Sequence, residues 1–130
     1  MQFYYFDSPH KQITENFRAR VIKVTDGDTV RVTMSERNFD FPIRMADIAA
    51  PELNERGGRE SQKWLSTQIL GKDVEIIINE RNRVGKWGRL LGAVMSGGMD
   101  MGELSKVMGH AVSWDERASQ NLFPKLESLL

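Results

Sequence analysis

Residues 17–33 read FRARVIKVTDGDTVRVT, and this stretch decides the fold class. The alternation of side chains from Phe17 to Val24 predicts a strand that is covered largely on one face. Asp26-Gly27 between two β-rich runs predicts a tight hairpin, with residues 29–33 as the return strand. We therefore expect the first regular element of the chain to be an antiparallel β-hairpin.

The rest of the sequence adds strands first and helices late. A third strand is predicted over 39–48, with Pro42 marking an edge or a bulge. The remaining predictions are a helix over 59–70, strands over 72–78 and 89–95, a short helix over 100–108 and a helical tail over 115–130. This order favours an α+β, mainly β barrel over a parallel doubly wound sheet. We expect an N-terminal extension at 1–14 and a single domain at 15–130.

The amino-acid composition limits the kinds of functional site that the protein can have. A length of 130 residues with 40% hydrophobic and 28% charged content fits one globular domain. Eighteen Lys and Arg balance eighteen Asp and Glu, so nucleic-acid binding would need a local basic patch. The absence of cysteine excludes disulfides, thiol nucleophiles and Cys-based zinc sites. A metal would need oxygen ligands, which favours Ca²⁺ or Mg²⁺ over Zn²⁺.

Targeting signals are not evident in the sequence. No stretch approaches the roughly 20 apolar residues that a membrane span requires. The N-terminal segment Met1–Asp7 has no basic region before its short apolar run, so we expect no signal peptide. These features predict a cytoplasmic protein, or one packaged in an assembly, without a membrane partner.

Two short segments carry carboxylates where chemistry could occur. In Asp26-Gly27-Asp28-Thr29 a hairpin turn explains Asp-Gly fully, whereas Asp28 just inside a strand needs solvent or a partner. For Arg44 in a strand and Glu52 after a bend, the alternative explanation is a simple ion pair without a role in chemistry. Neither segment identifies a function when it is taken alone.

The loop before the fifth predicted strand is basic. Arg81, Arg83, Lys86 and Arg89 occur within nine positions, with Trp87 between them and no acid. Basic residues around an aromatic ring are typical of surfaces that bind a phosphate chain and stack on a base. The alternative is a solvated loop with Trp87 folded onto the barrel.

Taken together and in order, these motifs resemble the thermonuclease (staphylococcal nuclease-like) family. The resemblance runs from about Arg20 to Ala111. It rests on Asp-Gly-Asp-Thr at 26–29, Arg44 with Ala-Pro-Glu at 50–52, Gly-Arg-Glu-Ser at 58–61, Gly-Arg at 88–89, Gly-Glu-Leu at 102–104 and Gly-His-Ala at 109–111. It implies a five-stranded oligonucleotide-binding (OB)-type barrel with about three helices, and Ca²⁺-dependent hydrolysis of DNA and RNA, including endonuclease action.

The resemblance also implies roles for individual residues. Asp28 matches a calcium-binding carboxylate, and Ala50 occupies a position whose backbone carbonyl binds the metal. Glu52 matches the proposed general base, and Arg44 and Arg89 match the two guanidinium groups that hold the scissile phosphate. In the basic loop, substrate contacts would come from Trp87, Lys86, Arg81 and Arg83.

One position departs from the family. The second metal-binding Asp of the family falls on Ala49, which has no side-chain ligand to offer. Since Ca²⁺ takes about six to eight oxygens, we expect a weak site that Mg²⁺ or Mn²⁺ could also fill. Asp47 is a candidate replacement, but about 7 Å of extended chain separates residues 47 and 49, so a bend would have to bring it closer. The sequence does not distinguish natural loss of the Asp from an engineered change.

Three functions remain open at this stage. The first is thermonuclease-like hydrolysis of nucleic acid at an incomplete metal site, with single-stranded DNA or RNA as the expected substrate. The second is a catalytically impaired OB module that binds single-stranded DNA, RNA or a protein. The third is a structural subunit that docks through the N-terminal aromatic segment (Phe3, Tyr4, Tyr5 and Phe6) or the C-terminal helix.

Overall fold

The computed structural model describes residues 13, 15–79, 84, 89–119 and 123–126. Its strands are β1 Phe17–Asp26, β2 Thr29–Thr33, β3 Phe41–Met45, β4 Ile48–Ala49, β5 Asp73–Ile77, β6 Leu90–Ser96, β7 Met99–Asp100 and β8 Val112–Ser113. Its helices are α1 Gly58–Ile69, α2 Met101–Val107 and α3 Trp114–Ser119. The part of the chain described contains no helix long and apolar enough to cross a membrane.

Five strands close into a barrel. They are ordered β3-β2-β1-β5-β6 with antiparallel neighbours, and a parallel pairing of β3 with β6 joins the two ends. In that closing pair Ile43 lies opposite Leu90 and Met45 opposite Gly92. The short β7 pairs antiparallel with β6, and β4 pairs with β8 in a separate two-stranded sheet. The predicted five-stranded OB-type barrel with three helices is confirmed.

The barrel interior is filled by every second residue along the strands, whose side chains point inward. Val21, Ile43, Ile76 and Leu90 are fully buried, as strand alternation predicts. Helix α1 adds its apolar face to this core, including the fully buried Leu65. The helix stops where Gly71 takes a left-handed backbone with φ 78°, as the sequence predicted.

The third strand is shorter than predicted. The run expected over 39–48 breaks into β3 and β4 at a turn in which Asp47 has φ 65°. Arg44 holds this turn, because its Nη1 donates to the carbonyl oxygens of Met45 and, at 2.9 Å, of Ile48. Side-chain capture of two nearby carbonyls is invisible to strand periodicity. Pro42 pairs with Arg31 of β2 but lies before the segment paired with β6, which agrees with the predicted edge position.

The tail is also less helical than predicted. Helix α3 ends at Ser119, and the segment 123–126 is not α-helical. Pro124 cannot continue a helix, and this segment bonds instead to the loop after β4: Arg56 N–H donates to Pro124 O at 2.8 Å and Leu126 N–H to Asn54 O at 2.9 Å. The expectations for the N-terminal aromatic segment and for residues 120–122 and 127–130 lie outside the described residues.

Candidate active site

The β1–β2 hairpin places two carboxylates beside helix α1. Gly27 at its tip is packed so closely that an added Cβ would lie 2.0 Å from Ser61 Oγ and 2.6 Å from Ala50 Cβ. Glycine is therefore required here for close approach, with no positive φ involved. Ser61 is fully buried and donates from Oγ to His110 O at 2.9 Å. This packing holds the tip against the start of α1 and next to Ala50.

Asp28 is buried, with 8% of its surface exposed, and its carboxylate is well bonded. Oδ1 accepts from the Thr29 hydroxyl at 3.1 Å, and Oδ2 accepts from Ala50 N–H at 2.9 Å. Oδ2 also lies 3.3 Å from Arg44 Nη2. The carboxylate thus joins the hairpin to the segment that continues into Pro51 and Glu52.

Asp26 lies beside Asp28 and accepts its N–H on Oδ1 at 3.1 Å. Burial, followed by the charge of Asp28 and a side-chain hydrogen bond with it, raises the pKa of Asp26 to about 7. The hydrogen bond from the Asp28 amide and the charge of Arg44 oppose this rise. A bound cation would favour the charged form of Asp26, which burial and the charge of Asp28 disfavour.

Barrel closure brings two arginines together. Because β3 and β6 are parallel neighbours, Arg44 lies opposite Leu91, two residues after Arg89. Burial lowers the pKa of Arg44, the Asp28 charge opposes this, and the nearby positive charge of Arg89 lowers it further. Among the residues described, the buried Nε of Arg89 has no hydrogen-bond partner. An anion bound here would supply that partner.

Glu52 is exposed on a loop whose backbone is held by a hydrogen bond to Glu55 and by close packing of Gly58. Its N–H donates to Glu55 Oε1 at 2.8 Å. Gly58 at the start of α1 passes so close that an added Cβ would lie 1.9 Å from Glu52 O, which explains a glycine at this position. The loop therefore presents the Glu52 side chain to solvent two residues after Ala50, which bonds to Asp28.

The oxygen donors present would hold a cation only in part. Asp26 and Asp28 supply side-chain oxygens at the hairpin tip, and Ala49 is buried without a side-chain oxygen. Within the described ranges no three His, Cys, Asp or Glu side chains form a metal-binding group. Asp47 is exposed in its turn, and no contact joins its carboxylate to Asp28 in the described part of the chain. This set fits a weakly held cation that takes further oxygens from water or substrate.

Trp114 lies near the site although the sequence analysis did not predict it, and four predicted substrate residues lie outside the described part of the chain. The Arg44 guanidinium lies 5.6 Å from the ring centre of Trp114, which is 55% exposed. Trp114 follows β8, and its N–H donates to Asp47 O at 3.1 Å. The sequence feature that could have identified Trp114 is its position three residues after the Gly-His-Ala motif at 109–111. The predicted substrate residues Arg81, Arg83, Lys86 and Trp87 lie outside the described residues.

The arrangement combines positive donors with acidic groups at one end of the barrel. Arg44 and Arg89 can bind a phosphate group, because guanidinium groups donate paired hydrogen bonds to its oxygens. The neighbouring carboxylates can bind a cation, and the exposed Glu52 can accept a proton from water. The aromatic face of Trp114 borders this surface.

Comparisons with known proteins identify the family of the chain. The model of the family "Staphylococcal nuclease homologue" matches residues 42–127. An "Uncharacterized endonuclease" of Escherichia coli O157:H7 is 30% identical over 114 residues, covering 87% of this chain and 71% of the relative. A "Micrococcal nuclease" of Shigella flexneri is 32% identical over 79 residues, covering 61% of this chain and 42% of the relative. The chain belongs to the staphylococcal nuclease family.

Proposed function

We propose that this protein hydrolyses phosphodiester bonds of single-stranded DNA or RNA with the help of a weakly held divalent cation. Family membership supports a nuclease-type function. The observation that carries the proposal is the Arg44–Arg89 pair beside Asp26 and Asp28, with the buried Arg89 Nε unbonded among the described residues. A phosphate diester fits this combination of donors and acids.

The proposed mechanism assigns one task to each group. Glu52 removes a proton from a water as that water attacks phosphorus. Arg44 and Arg89 donate to the non-bridging oxygens, where negative charge grows as the bond to the leaving oxygen breaks and that oxygen takes a proton from solvent. Asp28 and the Ala50 carbonyl would hold Ca²⁺, or Mg²⁺ or Mn²⁺, which would neutralise charge on the phosphate. Asp47 stays a candidate for a further ligand.

A cleavage assay on single-stranded DNA and RNA tests this function. Wild type should cut with Ca²⁺, Mg²⁺ or Mn²⁺ and stop in EDTA. Glu52→Gln should lower the rate about 10²–10⁴-fold because it removes the base. Arg89→Ala should lower it about 10²-fold or more because it removes a donor to the phosphate. Asp115→Asn, an exposed change on α3, serves as the charge control. Full activity of Glu52→Gln would contradict the assignment of the base.

Ala49 favours a second candidate function. With this ligand position buried and without an oxygen, the barrel could bind single-stranded nucleic acid or a protein without cutting. Salt-sensitive binding of single-stranded DNA by wild type, lost in Arg89→Ala and accompanied by no cleavage under any metal, would support this module over the nuclease.

A further inference from the structure

A buried ion pair lies beneath the loop that carries Glu52. Glu55 is 6% exposed, and both its oxygens lie 2.8 Å from Arg117 Nη2 of helix α3. A carboxylate this deeply buried needs such a partner, because removing one member leaves an uncompensated charge. The pair joins positions 62 residues apart in the chain, so it ties the loop to the C-terminal helix.

The same carboxylate binds the backbone of Glu52. Glu55 Oε1 accepts Glu52 N–H at 2.8 Å, while Glu55 N–H donates to Glu52 O at 2.9 Å. Residues 52–55 are thus closed into a bonded turn whose side-chain half depends on the orientation of the Glu55 carboxylate. Arg117 fixes that orientation, because its Nη2 donates to both oxygens of the Glu55 carboxylate.

The C-terminal segment holds the outer side of this loop. Glu55 forms an isolated antiparallel bridge with Lys125. The Arg117 guanidinium lies 5.0 Å from the ring centre of Phe123, at the start of the same segment. The Glu55–Arg117 pair is therefore enclosed by the loop, by α3 and by residues 123–126.

We propose that Glu55 and Arg117 are positioning residues that set the backbone of Glu52, and through it the general base, for attack on the phosphate. This inference rests on the proposed function, in which Glu52 is that base. An exposed glutamate on a loop has no rigid element of its own to direct it. Because a general base must lie within hydrogen-bond distance of its proton, a shift of about 1 Å costs about 10²-fold in rate.

The variants are Glu55→Gln, Arg117→Gln and Arg117→Lys, each made in wild type and in Glu52→Gln. Glu55→Gln keeps an oxygen for Glu52 N–H but removes the ionic partner of Arg117, and Arg117→Lys keeps the charge. Arg20→Gln is the matched control, since Arg20 forms an exposed ion pair with Asp73 on β5. Steady-state cleavage gives kcat and KM for single-stranded DNA, and thermal melts show that each variant is folded at the assay temperature.

Positioning predicts a specific pattern. Glu55→Gln and Arg117→Gln should lower kcat about 10–100-fold with KM changed less than about 3-fold, and Arg117→Lys should recover part of the loss. In the Glu52→Gln background the same changes should cost almost nothing, because there is no base left to position. If Glu55→Gln fails to fold, the two Arg117 variants decide the question.

Two other outcomes overturn the inference in different ways. Wild-type kcat in both Gln variants, or an equal loss with and without Glu52, would mean that the pair has only a structural role. Wild-type activity of Glu52→Gln itself would overturn the proposed function and this inference with it. The single Glu52 variant therefore separates the two failures.

Discussion

Asp26 illustrates at the residue scale how a buried acid beside the candidate site lowers the stability of the fold. Its pKa is raised to about 7 by burial and by Asp28, so the folded state prefers this group protonated. An acid whose pKa is raised on folding costs nothing below its ordinary value of 3.8, costs increasingly more as pH rises, and reaches its full cost above about 7.

We therefore predict that Asp26→Asn stabilises the metal-free protein at neutral and alkaline pH. In EDTA the gain should be about 1–3 kcal/mol at pH 8 and should shrink as pH falls toward 4. Asn keeps the oxygen that accepts Asp28 N–H, so that bond is retained. Denaturant unfolding at several pH values measures the difference. A gain that does not change with pH would contradict the raised pKa.

Helix α2 shows at the element scale how a cap supports the site. Asp100 precedes the helix and accepts Gly102 N–H at 2.8 Å and Glu103 N–H at 3.2 Å. Gly102 packs toward Ile48 of β4, since an added Cβ would lie 3.4 Å from Ile48 Cγ2. The cap thus fixes the helix behind the strand that carries Ala49.

Removal of this cap should loosen the helix. We predict that Asp100→Ala lowers the free energy of unfolding by about 0.5–2 kcal/mol, because two amide donors lose their acceptor. Asp100→Asn should stay close to wild type, since Asn also caps helices well. Chemical denaturation of the three proteins provides the comparison, and equal stability of wild type and Asp100→Ala would argue against the cap.

The elements themselves were largely readable from the sequence, whereas the contacts between distant side chains were not. The hairpin at Asp26-Gly27 and helix α1 follow from local turn and capping chemistry, so they were predicted within a residue or two. The break after Met45 depends on where the Arg44 side chain bonds. The contacts of Arg44 with Trp114 and of Glu55 with Arg117 exist only after the barrel and α3 have packed. Local periodicity carries no information about such pairs.

Closure of the barrel at the scale of the whole molecule joins the core to the site. Leu90 is fully buried in the closing β3–β6 pair and directly follows Arg89. We predict that Leu90→Ala costs about 2–5 kcal/mol, through lost burial and the cavity it leaves. Leu91→Ala, at a half-buried position on the same strand, should cost less. Thermal melts of both variants test this prediction. A larger loss of stability in Leu91→Ala than in Leu90→Ala would contradict the assignment of Leu90 to the core.

The most direct test of the central claim concerns position 49, where we propose that a metal ligand is missing. Cleavage of single-stranded DNA would be measured against Ca²⁺ concentration for wild type, Ala49→Asp and Asp47→Asn, with calcium affinity measured by calorimetry. If the protein is a nuclease with an incomplete metal site, Ala49→Asp should bind Ca²⁺ more tightly than wild type. The Ca²⁺ concentration that it needs for half-maximal cleavage should be lower by about 10-fold or more. A weaker Ca²⁺ response in Asp47→Asn would identify Asp47 as the substitute ligand. Absence of cleavage by both wild type and Ala49→Asp with every metal would contradict the account.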